Sequence, residues 1–181
     1  MKWLGIVLGV IAAIILIVVL VGYTLPKAHV AVSSAQFHKP AADLFRTITD
    51  VGSAATWRKD VDRIEMLPPN GDRIAWREVS KGDVVDYEGE IVRTPQPGVP
   101  GRFISRIVSK DLPYGGEWII DVSMSRDLSV VTVTENGEVY NPIFRFVSKY
   151  VMGHSATIDG YLRALGSHVG EDVTPQRADP I

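Results

Sequence analysis

His154 is the side chain in this sequence with the clearest capacity for proton transfer. It falls between Val151 and Ile158 on an apolar stripe spaced for a helix. Facing a cavity, an imidazole there could orient a ligand carbonyl or carry a proton. The plainer reading, a hydrogen-bonded core histidine, is preferred. Gly153-His154-Ser155-Ala156-Thr157 mimics part of a nucleophile elbow, but that motif needs a strand-turn-helix and a second glycine, so the match is chance. Arg106 alternates with Ile104 and Val108, and Glu135 follows Val131 and Val133. Turned inward together, the two would pair and grip a polar ligand head. Turned outward, they are ordinary surface charges. Tyr114, Gly115, Gly116 and Trp118 suit a cavity mouth, where paired glycines permit a mobile gate, although plain core aromatics are the preferred reading. Asp86, Glu88 and Glu90 are spaced by two and would repel one another if buried, which assigns them an outer face and turns Val85, Tyr87 and Ile91 inward. The four histidines are scattered, HExxH is absent and there is no cysteine, so no metal site, thiolate chemistry or disulfide is expected.

These residues follow an N-terminal stretch that sets their surroundings. From Leu4 to Leu25 there is no charge. About 20 helical residues span roughly 30 Å, the hydrocarbon thickness of a bilayer. Trp3 and Tyr23 flank the run as interfacial aromatics would. A signal peptide usually has a shorter apolar region, and Val21 to Pro26 offers no small-x-small cleavage site. The expectation is a single-pass anchor over residues 1–26. Lys2 and the free amine favour the N-terminus inside while Lys27, Lys39 and Arg46 pull the other way, and the expectation is the N-terminus inside with the following domain outside the cytoplasm, at the plasma membrane. The net charge of −2 and the lack of a long basic stretch argue against a nucleic-acid partner.

Residues 27–170 suit one domain, followed by a polar, proline-containing tail, 171–181, expected to be disordered. Residues 29–37 read as a strand. Pro40 opens a helix with Leu44, Phe45 and Ile48 on one face, and Asp50 to Trp57 reads as a second short helix or turn. From Val61 to Tyr140 the apolar period is two, broken at Pro68–Gly71, Lys81–Asp83 and Pro95–Gly101. Asn136-Gly137 reads as a bulge within one long strand. Asn141-Pro142 then starts a helix expected to run unbroken to about His168, with Ile143, Val147, Val151, His154, Ile158, Tyr161, Leu162 and Leu165 as its buried stripe. The result is an α+β domain of six or seven antiparallel strands curved around a long C-terminal helix. A sheet so curved leaves a cavity beside the helix.

Residues 39–67, KPAADLFRTITDVGSAATWRKDVDRIEML, with 111–122 and 134–165, resemble the START-like (SRPBCC) superfamily. They are nearest its polyketide cyclase/dehydrase-like branch, which includes membrane-anchored members. The resemblance covers 29–169. It implies a helix-grip fold enclosing an apolar tunnel for a lipid or other hydrophobic molecule, without a cofactor. The candidate ligand contacts are Trp57, Tyr87, Arg106, Tyr114, Trp118, Glu135, His154 and Tyr161. Two other functions stay open: a cyclase or dehydrase using His154, Tyr114 or Glu135 as acid or base, and a non-catalytic partner of another membrane protein.

Overall fold

The computed structural model describes residues 2–125, 127–153 and 155–178. Helix α1 (Lys2–Thr24) is exposed along almost its whole length, and it alone among the described residues is long and apolar enough to cross a membrane. Strand β1 (Ala28–Phe37) leads into α2 (Ala41–Thr49), whose Leu44, Phe45 and Ile48 are buried as the periodicity predicts. A 3-10 turn, Val51–Thr56, follows. Six strands then meander: β2 (Arg63–Asn70), β3 (Arg73–Ser80), β4 (Asp83–Arg93), β5 (Gly101–Ile107), β6 (Tyr114–Ser125) and β7 (Leu128–Val139). Helix α3 (Pro142–Val147) runs into a π-turn, Ser148–Met152, and α4 (Ala156–Val169) follows. A last short strand, β8 (Gln176–Ala178), completes one antiparallel sheet in the order β2-β3-β4-β5-β6-β7-β1-β8.

The core lies between the sheet and α4. Ile158, Leu162 and Leu165 are fully buried against Phe37, Val122, Val131 and Val133. Each such side chain contributes about 1.5–3 kcal/mol by leaving water. The buried carboxylate of Asp159 accepts from the Ser33 hydroxyl (2.8 Å) and from Arg177 Nε and Nη2 (2.9 and 2.7 Å), tying α4 to β1 and β8. On the outer face of the sheet, Arg77 meets Asp86 (2.6 Å), Arg102 meets Asp121 (2.8 Å) and Arg106 meets Glu117 (2.7 Å), all directly opposed across strands.

Four expectations are corrected. The C-terminal helix is broken at Gly153, whose φ of 73° lies in the left-handed region. Ile143 therefore belongs to α3 and is exposed, while Ile158, Leu162 and Leu165 are buried on α4 and Tyr161 packs against the same core. The segment after 170 is ordered through residue 178: Val173 is buried and Arg177 is held by Asp159. Asn136 and Gly137 form no bulge. They keep register with both β1 and β6, and the His29 ring occupies the space that a Gly137 Cβ would need. Ile91 is half exposed, because β4 slips register between Ile91 and Arg93 and leaves the inward row there.

Candidate functional site

The sheet and the C-terminal segment line a partly open cavity of about 590 Å³. Strand alternation chooses its walls. Trp76 and Glu78 on β3, Val85 and Tyr87 on β4, Phe103 and Ser105 on β5, and Trp118 and Ile120 on β6 all face it. The segment just after the 3-10 turn adds Trp57 and Arg58, and α4 adds Thr157 and Tyr161. Aromatic rings dominate. Trp76 stacks on Tyr87 with centroids 5.3 Å apart, and Tyr161 lies 5.5 Å from Trp57 and 5.4 Å, edge-on, from Trp118. Such rings form a rigid, water-excluding wall.

Two polar clusters interrupt this wall. Arg58 donates through both terminal nitrogens to Glu78 (2.9 and 3.0 Å) and through Nη2 to Asp60 (2.8 Å). Its guanidinium lies 5.9 Å from the Tyr161 ring centroid. Burial works against the Arg58 charge, but Glu78 and Asp60 outweigh it and raise the pKa, so the guanidinium stays charged. Asp60 is desolvated too, yet the hydrogen bond from Arg58 lowers its pKa on balance. In the second cluster Glu135 accepts from the Trp118 indole (2.8 Å) and lies 2.9 Å from His29 Nε2.

Burial raises the pKa of Tyr87, with Glu78 adding to it, and burial also raises that of Tyr161 against the opposing Arg58 charge. Burial, with Asp83 and Glu78, raises Tyr114. All three phenols therefore remain protonated donors at neutral pH. None finds a protein hydrogen-bond partner among the described residues, so each can donate to a bound molecule. The indole Nε1 of Trp57 and Nε of Arg58 are likewise buried without a partner among the described residues.

Of the side chains singled out in the sequence, Trp57, Tyr87, Tyr114, Trp118, Glu135 and Tyr161 come together on this cavity. Arg106 does not. Phe103, Ser105 and Ile107 take the inward positions of β5, so Arg106 faces out and pairs with Glu117 and, at 3.8 Å, with Glu90. The imagined Arg106–Glu135 pair is replaced by Glu135 with His29 and Trp118. His154 lies outside the described residues. Arg58, Glu78 and His29 escaped sequence reasoning. For Glu78 a signal existed: it shares strand parity with Trp76, which assigns a carboxylate to the inner face.

No protein-family model and no curated protein matches the chain. Solved structures do. A START superfamily protein from Mycobacterium smegmatis superposes with a TM-score of 0.57 at 12% identity, over 78% of this chain and 97% of that one. A STAR-related lipid transfer protein from Xanthomonas axonopodis gives 0.56 at 15% identity, over 81% and 96%. The ZhuI aromatase/cyclase from a Streptomyces species gives 0.57 at 10% identity, over 79% and 94%. The chain has the START-like fold, an α+β helix grip of eight strands around the C-terminal helix.

Proposed function

We propose that this protein holds a hydrophobic small molecule or lipid in its internal cavity, next to a membrane in which α1 is the single-pass anchor. The cavity itself carries the reading: about 590 Å³, walled by Trp57, Trp76, Trp118, Tyr87 and Tyr161. That size falls within the roughly 300–1,000 Å³ range of small-molecule sites. Removing apolar ligand surface from water contributes about 25 cal/mol per Å². The phenols of Tyr87, Tyr114 and Tyr161 and the Arg58 cluster orient whatever polar end the ligand has. Proteins of the same fold include one described as a lipid transfer protein, which supports this occupant class.

Ser105→Phe tests the proposal. Ser105 faces the cavity opposite Trp118 and Gly89, and a phenyl ring there projects into the space. Binding of a fluorescent fatty acid should fall by more than about tenfold, or 1.4 kcal/mol. Unchanged affinity in a variant that melts like the parent would reject the cavity as the site. The Glu135–His29 contact on the wall favours a second reading, an acid-base enzyme of the cyclase/dehydrase kind. Conversion of a bound ligand, lost in Glu135→Gln while binding persists, would establish it in place of the carrier.

A further inference from the structure

The foot of α1 is bolted to the domain. Buried Arg145 on α3 donates to the carbonyls of Gly22 (3.2 Å) and Leu25 (3.1 Å), and also to those of Val139 and Tyr140 (both 2.9 Å). Gly22 lies so close to Pro142 that a Cβ there would collide with its carbonyl. The start of α3 is therefore fixed against the last turn of α1. The 22 apolar residues from Trp3 to Thr24 are about 33 Å of helix, so that turn lies at one boundary of a hydrocarbon core it spans.

The surface presented at this level is not an ordinary polar one. Ile143 is 40% exposed, Phe144 49% and Tyr150 57%, and Tyr23, in the last turn of α1, is 67% exposed. Lys27 and Lys149 line one small cleft at the α1 exit. Apolar and aromatic side chains with cations next to them match the boundary between acyl chains and anionic headgroups. Phe144, Val147 and Ser148 also line the cavity, so the segment is at once its wall and its outer surface.

We propose that α3 and the π-turn after it rest in the headgroup layer of the bilayer that holds α1, with Ile143, Phe144 and Tyr150 inserted, so that the cavity wall itself lies on the lipid. This inference rests on the reading of α1 as an anchor, and the test separates the two. The chain has no cysteine, so single cysteines can be placed and labelled without altering a background. Ile143→Cys and Tyr150→Cys report the proposed surface, Ile14→Cys the anchor, and Asp72→Cys the distant β2–β3 turn. Neither Ile143 nor Tyr150 lines the cavity, so a lipid bound inside does not mimic the signal. The full chain is reconstituted in phosphatidylcholine–phosphatidylglycerol vesicles with an environment-sensitive fluorophore and nitroxide lipids. Labels at 143 and 150 should show blue-shifted, quenched emission with headgroup-proximal nitroxides, the label at 14 with mid-chain nitroxides, and the label at 72 with neither. Quenching at 14 with labels at 143 and 150 behaving like that at 72 would overturn the surface and leave the anchor. A label at 14 behaving like that at 72 would overturn both.

Discussion

Arg145→Met removes the bolt between helix and domain while keeping most of the side-chain length. Four backbone carbonyls lose a charged donor, two at 2.9 Å and two at 3.1–3.2 Å. Hydrogen bonds to a charged group are worth about 1.5–3 kcal/mol each, and breaking them exposes the desolvation cost of the acceptors. Setting the two longer bonds against the relief of no longer burying a cation, the two shorter ones leave a loss of about 3 kcal/mol. For a chain of this size each kcal/mol shifts the midpoint by roughly 2–4 °C, so the Tm should fall by about 6–12 °C. Tryptophan fluorescence in detergent reads the transition, because Trp57, Trp76 and Trp118 sit within the domain. Limited trypsin digestion gives an independent readout: Lys27, whose carbonyl now accepts from Val139 N, should become cleavable as the α1 exit loosens. Arg145→Lys keeps the charge but reaches fewer carbonyls, and should fall between. A Met variant melting within about 1 °C of the parent, with unchanged cleavage at Lys27, would show that the four contacts carry no stability and that anchor and domain are not rigidly joined.

Ile158→Asp should abolish cooperative unfolding, since it puts an unpaired carboxylate where a fully buried side chain packs; a retained sharp melt would show that α4 does not close the core. Glu171 is partly desolvated, but hydrogen bonds from the His38 and Lys39 backbone and from His38 Nδ1 hold its pKa below the usual 4.5. A depressed folded-state pKa contributes stability above the unfolded value and loses it as pH falls through the folded one. The Tm gap between the parent and Glu171→Gln should therefore be full at pH 6 and close on acidification below 4.5, and a gap independent of pH would refute it. Removing residues 1–26 should release the protein from membranes in a folded form with a lowered midpoint, because Arg145 loses its Gly22 and Leu25 partners; a truncated chain that stays with membranes through alkaline washing would show a second attachment.

Elements with a strong local period were legible in the sequence. The α2 face of Leu44, Phe45 and Ile48 needed only helical spacing, and the meander only alternation and turn residues. The break at Gly153 was not legible. The apolar stripe runs on through it, and an interior glycine costs only about 1 kcal/mol, which is too little to separate a kinked helix from a broken one. Strand β8 has three exposed residues and no periodicity, and its place depends on Arg177 reaching Asp159 across the fold. The site divides the same way. Rings such as Tyr87 and Trp118 follow from strand parity, whereas Arg106 sits in a run with apolar residues at both parities, so its direction is decided by register with β4 and β6. The Arg58–Glu78 and His29–Glu135 contacts join residues 20 and 106 positions apart, and no local pattern encodes such meetings.

The two margins of the sheet bear on how these molecules tolerate one another when crowded. An unpaired strand edge is a template for another chain. At one margin β2 carries Pro68 and Pro69, which have no amide hydrogen to offer, together with charged Arg63 and Glu65. At the other, β8 is three residues long and its middle residue is clamped inward to Asp159. Neither margin presents a long, flat ladder to a neighbour. High local density, such as confinement to a surface produces, should therefore not drive these domains into strand-to-strand polymers.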